Sequence, residues 1–189
     1  MAVENAIGAD YQQGNDFYMH PDKGVKVRGS TGAYKAFSPA NCATLYQPAK
    51  VSTDGTDSTP VITETYIAQV DVPHACTVTG IAAFNGSVAS GNVKYALADS
   101  TGAVLASTAS TAMAGTDAYQ RVPLSATLDI VGGTYFVLQQ IDNTTARVNS
   151  HTLGNGGASK KTGETYGTFT SITPPTTFTT ALGPIASLY

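Results

Sequence analysis

The chain has 189 residues, of which 12% are charged, and a formal net charge of −3 at pH 7. Its longest basic cluster is Lys160-Lys161, so a phosphate backbone is not an expected partner. No apolar run approaches the roughly 20 residues that cross a bilayer, and Met1-Ala2-Val3-Glu4-Asn5-Ala6 lacks the basic start and apolar core of a signal peptide. The expectation is a protein made in the cytoplasm, with no nucleic-acid and no membrane partner.

A chain of this length can bury roughly 70% of its unfolded surface, so it needs neither a disulfide nor a metal to fold. Gly, Ser and Thr abound, whereas the helix formers Glu, Lys, Leu and Met are sparse, which points to an all-β protein with many turns. Tyr outnumbers Phe by 10 to 6 and Trp is absent, a balance that suits packing between subunits or contact with sugars. Cys42 and Cys76 are the only cysteines. In a cytoplasmic protein they are expected as free thiols, with Cys76 in an apolar strand pattern.

In chain order, residues 1–15 are polar and aperiodic and are expected to form an extended arm. Tyr11, Phe17, Tyr18 and Met19 distinguish this arm from a solvated tail and suggest that it docks on something. Asp16–His20, Val25–Arg28 and Ala33–Phe37 read as short strands, separated by the turns Pro21-Asp22-Lys23-Gly24 and Gly29-Ser30-Thr31-Gly32. Residues 16–37 are therefore a small β meander, too short to hold a core of its own. Residues 38–48 are a connector, and Ser52–Pro60 is a polar loop.

From Val61 the β signal is sustained. Glu64–Val72 alternates, with Tyr66, Ala68, Val70 and Val72 on one face. Cys76–Phe84 is the next strand and ends at Asn85-Gly86, a strong turn dipeptide. Asn92–Ser107 reads as a hairpin whose turn is Asp99-Ser100-Thr101-Gly102, with Val93, Tyr95 and Leu97 alternating on one limb and Val104 and Ala106 on the other. Residues 109–117 are a small-residue loop. Tyr119–Leu124 is a strand that Pro123 assigns to a sheet edge. Leu128–Val131 follows, and Thr134–Ile141 is the most apolar strand and the expected centre of the sheet. Ala146–Ser150 pairs back, Gly154–Gly163 is a Gly-rich loop, residues 164–182 lack periodicity, and residues 183–189 form a last strand. This spacing predicts an antiparallel β-sandwich or jelly roll over residues 61–189, joined by a linker loop at 45–60 to an assembly segment at 1–44.

The motifs of catalysis are missing their parts. Gly-x-Ser-x-Gly does not occur, and Lys161-Thr162-Gly163 stands without the other elements of the penicillin-binding set. Gly154–Lys160 has Ser159 where a phosphate loop needs Gly before Lys. His20, His74 and His151 lack metal-spaced partners, and Asp54-Gly55-Thr56-Asp57 lacks the closing Glu of a calcium loop. Asp129, Asp142 and Glu164 are conceivable glycosidase carboxylates, but turn chemistry and solvation account for them. No enzyme activity, metal or cofactor is expected.

The run Val70-Asp71-Val72-Pro73, Thr77–Ile81, Asn85-Gly86, Tyr95–Ala106, Tyr119–Val122 and Gly133–Gln139 resembles a β-sandwich domain of tailed-bacteriophage virion proteins. Gly167-Thr168-Phe169, Pro175–Phe178 and Gly183–Ala186 extend the resemblance, which covers roughly residues 45–189. It implies a structural role at the capsid surface, as a decoration (cement) protein that binds the major capsid protein, often as a homotrimer. The alternative it implies is a fibre or collar component that binds a host-surface glycan or receptor. No catalytic residue carries over. Residues 1–44 lie outside the resemblance, and Tyr11, Phe17, Tyr18, Tyr34 and Phe37 are the expected capsid or subunit contacts.

Overall fold

The computed structural model describes residues 55–152 and 156–189, together with the backbone of three strands: β1 (Phe17–His20), β2 (Gly24–Arg28) and β3 (Tyr34–Ala36). Among the described residues every regular element is a β-strand. The remaining strands are β4 (Gly55–Ser58), β5 (Glu64–Val72), β6 (Cys76–Phe84), β7 (Asn92–Ala98), β8 (Val104–Ser107), β9 (Thr111–Ala112), β10 (Tyr119–Ile130), β11 (Gly133–Ile141), β12 (Val148–His151), β13 (Ala158–Thr162) and β14 (Ala186–Leu188).

The strands form antiparallel sheets. The large sheet runs β13-β5-β11-β7-β8, with β9 also paired to β7. The small sheet runs β10-β6-β14, β4 and β12 make a ribbon, and β1-β2-β3 is a separate meander. The large and small sheets enclose one core. Val70, Val93, Tyr95, Leu97, Val137 and Ile141 come to it from the large sheet, and Val78, Ile81, Val122, Ile130 and Leu188 from the small one. This arrangement is compatible with a β-sandwich. At about 1.5–3 kcal/mol per fully buried aliphatic side chain, the interior is the main term holding the sheets together.

β11 is the centre of the large sheet, as its apolar run predicts. Its residues are buried almost without alternation because the sheet is covered on both faces. Tyr135, Val137 and Ile141 face the shared core. Phe136 and Leu138 face a second cluster with Ile67, Ala96, Ala98 and Ile172.

The cover over that second face is the aperiodic stretch 164–172, which acts as a strap. Glu164 N donates to Thr63 O at 2.9 Å, and Ile172 N donates to Gly102 O at 2.9 Å. Between these ends, Gln140 grips the strap twice: its Nε2 donates to Thr168 O at 2.9 Å and its Oε1 accepts from Gly167 N at 3.0 Å. Lys94 Nζ donates to Gly167 O, and Phe169 packs on the cluster. The chain then passes Ala158 through a bridge at Phe178, bonds His151 through Ala181 N (2.7 Å), and enters the small sheet as β14.

The hairpin turn follows its sequence chemistry. Asp99 Oδ1 accepts from Thr101 N (2.8 Å), Thr101 Oγ1 (2.6 Å) and Ala103 N (3.0 Å), and Gly102 takes φ +87°. These bonds hold the exposed Asp99 carboxyl below its ordinary value. One detail differs from the expectation. Leu97 pairs with Ala106 but Ala98 pairs with Val104, so Leu105 is an extra, 41% exposed residue. The bulge sends Ala106 toward the shared core and Val104 toward the second cluster, although they are two residues apart.

Other expectations are corrected by long-range pairing. The polar stretch 52–60 contains strand β4, which pairs with β12. The Gly-rich stretch 154–163 contains strand β13, paired with β5 from Ala158↔Ala68 to Thr162↔Glu64. Asn85-Gly86 is a crossover between sheets rather than a hairpin turn: Asn85 bridges Val148, and a Cβ on Gly86 would lie 2.0 Å from Asp57 Oδ1. Tyr119–Leu124 and Leu128–Val131 merge into the single strand β10, interrupted by a register shift between Pro123 and Leu128. β10 is a sheet edge, as Pro123 requires.

Candidate binding surfaces

Of the expected contact residues, Tyr11 and Phe37 lie outside the described residues. Phe17 and Tyr18 are on β1 and Tyr34 is on β3. The meander register pairs Phe17 with Val27 and Val27 with Lys35, and pairs Tyr18 with Lys26 and Lys26 with Ala36.

Sequence reasoning missed a second surface, the outer face of the small sheet. Its origin is a bulge in β6. Thr79 N and Gly80 N both donate to Tyr189 O, at 2.7 and 3.1 Å, and Tyr189 N donates back to Gly80 O at 3.0 Å. Before the bulge Val78 faces the core, whereas after it Ile81 and Ala83 do. Ala82 and Phe84 are thereby turned to the outer face, in register with Arg121 and Tyr119 of β10. Ser187 of β14 stands opposite Ala82 in the same row.

The rings on this face are held by one another. Phe84 and Tyr119 meet edge to face, centroids 5.1 Å apart and planes at 72°. The Tyr189 ring lies over Gly80, where an added Cβ would come within 2.2 Å of it and displace the ring. The Arg121 guanidinium stacks on Tyr189 at 4.3 Å from the ring centroid. Burial raises the Tyr189 phenol above its ordinary value while Arg121 pulls it down, and burial raises that of Tyr119. Tyr119 remains 49% exposed. Among the described residues the two ion pairs are Lys160–Glu64 (2.6 Å) and Lys161–Glu164 (2.9 Å), so Arg121 has no carboxylate partner there. A stacked guanidinium keeps its N–H edge directed outward, which suits bidentate contact with an anion.

The titratable groups weighed from the sequence are taken up by local contacts. Asp129 accepts from Thr77 Oγ1 at 2.5 Å, and Asp142 accepts from Asn92 N at 2.6 Å and from Asn92 Nδ2 at 2.7 Å. Glu164 pairs with Lys161 and accepts from Thr170. Glu64, 7% exposed, takes Lys160 and the Tyr66 hydroxyl (2.9 Å), and burial pushes the Tyr66 phenol up to about 12. His151 is 2% exposed, and its burial lowers it to about 4. Cys76 is a free thiol packed against the margin of the core, raised by burial and by nearby Asp129. Among the described residues no group of three His, Cys, Asp or Glu side chains could hold a metal ion.

The signal for the outer face was present in part. Tyr119-Gln120-Arg121 alternates as a strand should, but Tyr189 arrives from the far end of the chain and the bulge decides which side it joins. In comparisons with known proteins, no family model, no curated protein and no solved structure matches this chain.

Proposed function

We propose that the chain is a structural protein of a tailed-bacteriophage virion, a decoration protein that sits on the capsid surface and stabilises the major capsid lattice. The observation that carries this reading is where the resembling segments fall. Val70–Val72, Thr77–Ile81, Tyr95–Ala106 and Gly133–Gln139 all lie in the framework strands β5–β8 and β11 and the hairpin turn. In this reading residues 61–189, with β4 paired onto β12, are a rigid jelly-roll sandwich, the rest of residues 45–60 is a linker, and residues 1–44 are an arm and meander that grip the shell. Tyr11, Phe17, Tyr18, Tyr34 and Phe37 are the contacts. A homotrimer would multiply modest contacts into strong retention, since each copy raises the local concentration of the next.

Deletion of residues 1–20 tests the arm. The truncated protein is expected to keep its folded sandwich, judged by thermal unfolding, and to lose co-sedimentation with capsid shells. Undiminished co-sedimentation would overturn the assignment of the arm. Antibody label on intact particles tests the location: label spread over the head supports decoration, and label confined to the tail or collar refutes it. A second reading, a fibre or collar component that binds a host-surface glycan, is favoured by the exposed Tyr119–Arg121 face.

A further inference from the structure

We propose that the outer face of the small sheet binds a carboxylated pyranose, a uronate or sialate unit of an acidic glycan. This deepens the glycan-binding reading above, and it depends on the sheet face alone, not on a place in a virion.

Three properties of the face select this ligand. The first is scale. On the strands of the small sheet, Tyr119 is the one large hydrophobic side chain that is substantially exposed. A stable protein interface needs on the order of 800 Å² from each partner. One half-exposed ring, packed edge to face against the partly exposed Phe84, instead matches the apolar face of a sugar ring.

The second is charge. Arg121 is exposed and has no carboxylate partner among the described residues. Tyr119 and Arg121 lie two residues apart on one strand and share its outer face, so their Cα atoms are separated by about 7 Å. The guanidinium leans from Arg121 toward Tyr189, over Gly80, so an acidic pyranose stacked on Tyr119 must extend its carboxylate along the face past Ala82 to meet the two parallel N–H donors.

The third is rigidity. Phe84 props the Tyr119 ring edge-on, and Tyr189 holds Arg121 flat while Gly80 leaves room beneath it. Side chains fixed before binding lose little entropy when the ligand arrives. Ser187, opposite Ala82 in the Arg121 row, adds a hydroxyl for the sugar hydroxyls.

The test uses the full-length protein, titrated with sialyllactose and with oligogalacturonate, against neutral lactose as control, followed by amide chemical shifts. Tyr119→Ala, Arg121→Gln and Arg121→Lys are compared, with thermal unfolding as the check on folding. At least one acidic glycan is expected to bind at least about tenfold more tightly than lactose, the factor that one good charge-assisted contact supplies. Arg121→Gln should abolish the preference for acid, Arg121→Lys should restore part of it, and Tyr119→Ala should weaken acidic and neutral ligands alike. The inference is overturned if neither acidic glycan shifts residues of β6, β10 or β14. It is equally overturned if Tyr119→Ala and Arg121→Gln bind as the parent does, or if Tyr119→Ala instead changes the oligomeric state, which would make the face a subunit contact. Each of these outcomes is independent of capsid co-sedimentation, so this inference and the decoration reading can fail separately.

Discussion

Replacing Gly102 with alanine should destabilise the protein far more than the same change at Gly163, and the difference measures what the strap contributes. Both glycines have positive φ, +87° and +74°. An alanine there costs about 1–2 kcal/mol in backbone strain alone. At Gly163 nothing lies within 4 Å of the new Cβ, so that strain is the whole effect. At Gly102 the Cβ would lie 2.0 Å from the backbone oxygen of Ile172. The strap must move away, losing the bond from Ile172 N to Gly102 O, about 0.5–1.5 kcal/mol. It also exposes Ile172, now 6% accessible, for about another 1.5–3 kcal/mol. Since such contributions overlap, the expected total is about 3–5 kcal/mol for Gly102→Ala against about 1–2 for Gly163→Ala. Urea unfolding of the two variants gives the numbers, and hydrogen exchange at residues 164–172 locates the damage. Equal losses in the two variants would refute the strap's energetic role, as would unchanged exchange in the strap.

Two further substitutions probe the buried polar groups. His151 has a folded-state value near 4 against 6.5 for the free side chain. Above pH 6.5 it is neutral in both states and contributes no pH dependence. As pH falls from 6.5 to 4 the unfolded chain binds a proton that the folded chain rejects, so stability should fall by about 1.4 kcal/mol per unit and about 3 kcal/mol in all. His151→Gln should flatten this slope, and a parent-minus-variant difference that stays constant between pH 7 and 4.5 would contradict the account. Lys160→Ala strips Glu64 of its cation while leaving the carboxylate buried; because Lys160 is about a third exposed, the expected loss is about 1–2 kcal/mol. The double variant Lys160→Met with Glu64→Gln should recover much of it, and urea unfolding that shows no recovery would mean the pair matters through packing.

Local chemistry was readable from the sequence, and long-range pairing was not. Asp99 and Gly102 specify their turn within four residues, so the hairpin is legible. Pro123 marks an edge and the Thr134–Ile141 run marks a centre, because each reports directly on hydrogen bonding or burial. β4 and β13 carry no apolar alternation, and their partners, β12 and β5, lie about 90 residues away in sequence for each pair. They are strands only because those partners have free edges to offer. The aperiodic 164–172 stretch gave no sign of covering a sheet face, although the double-sided burial of β11 demanded that something do so. The candidate surface failed for the same reason: β10 was visible as a strand, but the bulge opposite Tyr189 that aligns Phe84 with Tyr119 is a property of two distant segments meeting.

The route of the last stretch has a consequence for how the protein is made. The strap closes the large sheet, and β14 then completes the small one. While the chain grows from the ribosome, both faces of the large sheet therefore await residues that are translated later than the strands they cover. Chain segments with such late, non-local closure fold slowly and expose apolar surface in the interval. A nascent chain stalled before residue 164 should present Ile67, Phe136 and Leu138 to holding chaperones. Release of residues 164–188 is then the event that ends that vulnerability, for both sheets together.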